Sequence, residues 1–219
     1  MPAAQENHLI VSRSARYFQL GELSAATRRV WFVAHGYGQL AAYFIRHFAF
    51  LAEADPTLVI VAPEGLSKFY LNGTSGRIGA TWMTREDRLT EIADYVSYLN
   101  QLATKILTLC PPEVAVTVLG FSQGAATVSR WLTQASFRPA RLILWAGAFP
   151  PDMDVEVGTH LLHQFLVTVV CGDDDPFVSA EELKKQLTFL RSYGIEPEVI
   201  RFAGKHALHT ETLRQLGQP

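Results

Sequence analysis

Two cysteines, Cys110 and Cys171, are all that the 219 residues contain. That excludes a small scaffold stapled by several disulfides, and both are expected to be buried free thiols of a reducing compartment. No run approaches the roughly 18 apolar residues of a membrane span. The opening MPAAQENHLI carries neither the basic start nor the long apolar stretch of a secretion signal. The expectation is a cytoplasmic protein with no stable membrane anchor. An excess of one charge is missing too: 19 Lys+Arg stand against 21 Asp+Glu, a net charge of −2, with no basic block. A nucleic-acid partner is therefore not expected, and a small or neutral molecule is. His160 and His163 have one-turn spacing but no Cys or Glu partner at ligand spacing, so no metal is expected.

What is present is a repeated alternation of short apolar runs with longer segments of helical period. Arg29–Ala34, Thr57–Ala62, Val114–Leu119, Arg141–Trp145, Phe165–Val170 and Glu198–Phe202 read as strands, most of them apolar without alternation. Helices are expected over Ala41–Ala54, about Arg85–Leu109, Gln123–Ser136 and about Ser179–Tyr193, with a last one running from an N-cap at Thr210 to Leu216. His8–Leu20 reads as extended, and residues 64–84 as a Gly-rich stretch without period. Continuous apolar strands, each followed by a helix, indicate a parallel sheet buried on both faces. The expected fold class is α/β: an open, doubly wound, mostly parallel sheet of about six or seven strands. A single domain over residues 1–219 is expected, since no linker, repeat or low-complexity tract interrupts it.

Gly120-Phe121-Ser122-Gln123-Gly124 is a Gly-x-Ser-x-Gly string between a pure apolar strand and a small-residue helix start, Gly124-Ala125-Ala126. That setting is a nucleophile elbow. A serine on so sharp a turn needs neighbours without bulk two positions to either side, and the helix that follows aims its N-terminus at developing negative charge. Ser122 is the candidate nucleophile. A serine hydroxyl needs a base to take its proton, and in this arrangement the order along the chain is Ser, then Asp or Glu, then His. Asp173, Asp174 and Asp175 follow the Phe165–Val170 strand, where the acid belongs; two of them are expected to serve a turn and a helix cap. His206 follows the last strand, with His209 as its rival. His35 precedes a glycine turn and is assigned a structural hydrogen-bonding role. For the oxyanion, one N–H donor is expected from Gln123 and the other from Tyr37, in the loop His35-Gly36-Tyr37-Gly38-Gln39.

Four segments together make the chain resemble the phospholipase/carboxylesterase family of α/β-hydrolases, which includes the acyl-protein thioesterases. They are His35-Gly36-Tyr37-Gly38, the elbow Gly120–Gly124, the run Gly172–Val178, and Phe202-Ala203-Gly204-Lys205-His206. The likeness implies the α/β-hydrolase fold. It implies Asp175, three residues after Gly172, as the catalytic acid and His206 as the base. It also implies hydrolysis of carboxylic esters, lysophospholipids or acyl thioesters without metal or organic cofactor. Gln39 stands where the family often has Asp, and residues 67–83 depart from the acyl-protein thioesterases. Cleavage of esters or thioesters of small to medium acyl groups is therefore the part carried over. Phe69, Tyr70, Trp82 and Met83, aromatic and sulfur side chains within the aperiodic stretch, are expected to line the acyl pocket or form a short lid. A slow small-ligand receptor on a hydrolase frame, or a serine peptidase acting on short peptides, are the alternative readings.

Overall fold

A computed structural model describes residues 3–150, 152–153 and 163–218. His160 lies outside them. The strands are β1 Tyr17–Leu20, β2 Arg29–Ala34, β3 Leu58–Pro63, β4 Ser67–Asn72, β5 Ser75–Thr81, β6 Ala115–Phe121, β7 Arg141–Trp145, β8 Leu166–Gly172 and β9 Glu198–Phe202. The helices are α1 Ala41–Phe44, α2 Ala49–Ala54, α3 Arg88–Leu107, α4 Gln123–Leu132, α5 Ala180–Ser192 and α6 Thr210–Gly217. Among the described residues, seven strands form one sheet in the order β1-β3-β2-β6-β7-β8-β9. β1 is antiparallel to β3, and every other neighbouring pair in that sheet is parallel. Both the open sheet and the strand ranges agree with the expected fold class.

Alternate residues along each strand feed two separate cores, which is why the strands carry no polar side. Val30, Phe32, Val59, Val61, Val116, Val118, Leu142 and Leu144 face one core, closed by Val96 and Leu99 of α3, Val128 and Trp131 of α4, and Leu183 and Leu190 of α5. Trp31, Val33, Ile60, Leu119, Ile143 and Trp145 face the other, closed by Phe44 and Leu51 around the first helices and by Leu213 and Leu216 of α6. Helices thus cover both faces. None among the described residues is long and apolar enough to cross a membrane.

Three expectations are corrected. Residues 64–84 are not without regular structure: β4 and β5 pair antiparallel as a separate hairpin, Ser67 opposite Thr81 and Asn72 opposite Ser75. Its two-residue turn is Gly73-Thr74, and Gly73, at the first central position, takes the positive φ of 61° that such a turn needs. The segment 41–54 is not one α-helix, because the backbone tightens to a 3-10 turn over Ile45–Phe48. The last helix is capped by His209 rather than Thr210, with the His209 side chain accepting from the Thr212 amide. Both cysteines are free thiols; Cys171 is buried and Cys110 half-buried.

Candidate active site

Every parallel strand ends at the same edge of the sheet, and the residues singled out above follow directly from those ends. β2 runs into His35, β6 into Ser122, β8 into the aspartates and β9 into His206. The elbow is built by close backbone approach. A Cβ on Gly120 would sit 2.3 Å from the Gly124 carbonyl oxygen, and one on Gly124 would sit 2.3 Å from the Ala34 carbonyl oxygen. No side chain fits at either position. Between them, Ser122 adopts φ 54° and ψ −117°, a region that side-chain-bearing residues occupy only when the surroundings hold them there. Here its amide is held at 2.8 Å from the Trp145 carbonyl of β7. Gln123 opens α4, so its amide is among those a helix leaves without an internal acceptor.

Of the three aspartates, one turns inward. Asp175 has a fully buried carboxylate whose Oδ2 lies 2.8 Å from His206 Nδ1. Its Oδ1 accepts from the amides of Phe177 at 2.8 Å and Val178 at 3.2 Å. Asp173 faces solvent and pairs with Arg201 at 2.7 Å, and Asp174 is exposed. The same geometry separates the histidines. His209 is spent on capping α6 and stacks on Phe202 with ring centroids 5.0 Å apart. The His206 ring is held between Phe121, 4.9 Å away, and Phe177, 4.7 Å away. With the carboxylate fixing Nδ1 as the protonated nitrogen, Nε2 retains its lone pair.

Ser122, His206 and Tyr37 share the wall of one cavity of about 770 Å³. The amides beside Tyr37 are all engaged: Gly36 donates to Gln39 Oε1 at 2.8 Å, Gly38 to the Ala80 carbonyl at 2.8 Å and Gln39 to the Gly36 carbonyl at 3.2 Å. The Tyr37 amide has no acceptor among the described residues. Gln39, in the place of an Asp, thus fastens the turn of this loop through its side chain.

Phe69, Tyr70, Trp82 and Met83 do not line this cavity, whose apolar wall comes from Ala146, Ala148, Phe149, Phe177, Val178 and Phe189. Trp82 is core: it stacks on His35 at 5.0 Å and donates its Nε1–H to the His35 carbonyl at 2.8 Å. Phe69 reaches only the back of Tyr37, with ring centroids 5.0 Å apart, Tyr70 is exposed, and Met83 packs against the core. The carbonyl of Met83 and the hydroxyl of Thr81 accept from Gln123 Nε2 at 2.8 and 2.9 Å. The side chain of Gln123 therefore ties the hairpin's return to the elbow. The wall that sequence reasoning missed is gathered from the loop after β7, the loop after β8 and helix α5. Its one local signal is Ala146, a non-glycine residue at φ 48° that no composition reveals.

His35 is buried, with Nδ1–H donating to the Gly36 carbonyl at 2.8 Å and Nε2 accepting from the Gly65 amide at 3.0 Å. Both nitrogens are satisfied only when the ring is neutral. Burial pulls its pKa from 6.5 to about 4, against smaller upward pulls from the Gly36 hydrogen bond and Glu64, while Lys68 adds to the lowering. The unfolded chain takes up a proton near pH 6.5 and the fold resists until about pH 4. Stability from this group is complete above 6.5 and is lost as the pH falls between those values, up to about 3 kcal/mol at about 1.4 kcal/mol per unit. Urea denaturation across that range is expected to show the loss, and His35→Gln to flatten the slope. An unchanged slope in the variant would show that another group carries it.

No protein-family model matches the sequence, and no curated protein does. Solved structures do match. Esterase PE8 aligns with a TM-score of 0.71 at 21% identity, over 94% of this chain and 97% of that one. Acyl-protein thioesterase 2 of Zea mays aligns at 0.70 and 14%, over 93% and 96%. A phospholipase/carboxylesterase of Dyadobacter fermentans aligns at 0.65 and 16%, over 95% and 97%. With one sheet edge carrying the elbow, the buried acid and the imidazole, and with that sheet shared along nearly the whole chain, the protein has the α/β-hydrolase fold.

Proposed function

We propose that the protein is a serine hydrolase that cleaves carboxylic esters or thioesters of small to medium acyl groups through Ser122, His206 and Asp175. The observation that carries this reading is the His206–Asp175 pair at 2.8 Å, its carboxylate fully buried, opening onto the same cavity as a serine on a strained turn. A surface ion pair has no need of such burial, and an ordinary serine has no need of that backbone.

In the reaction, Ser122 Oγ attacks the acyl carbon as His206 Nε2 takes its proton. The carbonyl π pair moves onto oxygen, where the amides of Tyr37 and Gln123 donate to it. Asp175 keeps Nδ1 protonated and offsets the imidazolium charge. Collapse expels the alkoxide or thiolate, which leaves with the proton from Nε2. Water then attacks the acyl-enzyme with Nε2 as base, and collapse releases the carboxylic acid and restores Ser122. These side chains and amides complete the cycle without a metal or organic cofactor. The apolar cavity of about 770 Å³ suits the acyl group, and names such as esterase and acyl-protein thioesterase among the structural neighbours agree in reaction class.

A fluorophosphonate probe should label Ser122 and block turnover of a panel of esters and thioesters with rising acyl length. Absence of both labelling and turnover on every member would overturn the proposal.

A further inference from the structure

Helix α5 turns one face to the cavity, presenting Glu182, Gln186 and Phe189 at helical spacing. Two polar side chains on this stretch are already engaged. The Glu182 carboxylate accepts from the Ser179 amide at 3.0 Å in the helix's capping box, and Lys185, mostly exposed, pairs with Glu181 at 2.9 Å. Gln186 differs. It is buried against the apolar wall, and its Nε2 donates to the Gly147 carbonyl at 3.3 Å. A carbonyl partner can only be met by the nitrogen end, so the carboxamide's orientation is fixed by chemistry. Among the described residues no group donates to its Oε1.

Gly147 lies against the nucleophile, since a Cβ there would stand 2.3 Å from the Ser122 carbonyl oxygen. The carboxamide bonded to Gly147 therefore shares with Ser122 the lining of the cavity that would receive an acyl chain. A plain alkyl chain filling the cavity would strip water from an acceptor and give nothing back, whereas a chain bearing a hydroxyl would restore the hydrogen bond.

We propose that Gln186 selects hydroxylated acyl groups, its Oε1 accepting the hydrogen of a hydroxyl on the acyl chain while Nε2 stays on Gly147. The natural substrate class is then an ester or thioester of a hydroxy acid. This rests on the hydrolase reading above and deepens it.

The test compares kcat/KM for methyl hexanoate with that for its derivatives hydroxylated at successive carbons, followed by pH-stat. Wild-type protein is expected to prefer one hydroxy isomer over the plain ester by about tenfold, the worth of one recovered hydrogen bond. In Gln186→Met, which keeps the length and removes both polar ends, that ratio is expected to fall to about one, whatever loss both substrates share. Turnover with no preference in the wild type overturns the proposal and leaves the hydrolase reading standing, a result that needs no variant to fold. A preference that survives in Gln186→Met overturns it too. Failure of all esters together with absent fluorophosphonate labelling removes the hydrolase reading, and this proposal with it.

Discussion

Ser122→Ala is expected to lower ester turnover by about 10⁴-fold or more while the protein stays folded. The side chain loses one oxygen and keeps its Cβ, so the turn at φ 54° is no more strained than before. What remains is water attacking a substrate still held by the cavity and the two amides. Those contacts alone sustain some catalysis, which is why the loss is large but not total. Purified variant and wild type compared by kcat/KM and by near-UV circular dichroism decide the matter. A variant within tenfold of wild type would place the chemistry elsewhere.

Asp175→Asn is expected to cost about as much, on the order of 10⁴-fold in kcat with a smaller change in KM, for a different reason. The two oxygens of Asp175 do separate jobs: Oδ1 accepts from the Phe177 and Val178 amides, and Oδ2 faces His206 Nδ1. Asparagine can keep the first contact only by placing its oxygen there, which turns its NH₂ toward the imidazole. His206 must then present a lone pair at Nδ1 and carry its proton on Nε2. A base whose reactive nitrogen is already protonated cannot accept the serine proton. The loop stays capped, so the thermal midpoint should move little. If the variant retained most of its activity, His206 would not be the base.

The sheet was legible because its strands are buried on both faces and so are written in apolar residues alone, as in Val30–Val33 or Leu142–Trp145. The elbow was legible for a steric reason: Gly120 and Gly124 cannot be anything larger. The choice among three aspartates rested on family likeness, because burial is a property of the folded loop and the three share one composition. The hairpin of β4 and β5 was missed although Gly73 marks its turn, since β4 is exposed along most of its length and its side chains do not alternate in polarity. The cavity wall was the least visible part. Phe149, Phe177 and Phe189 come from three separate segments, none of them notable alone, whereas the local concentration of aromatics around Trp82 marked a core contact to His35.

The elbow is fastened to two strands other than its own, with Gly124 wedged against the β2 carbonyl of Ala34 and the Ser122 amide bound to Trp145 of β7. Such pairings between distant stretches of chain form late, after the entropy of closing long loops has been met. A half-assembled chain therefore lacks the contacts that hold Ser122 at its strained backbone angles. Under the proposed reaction, reactivity of Ser122 toward the probe is then expected to appear during refolding only as the central sheet is completed.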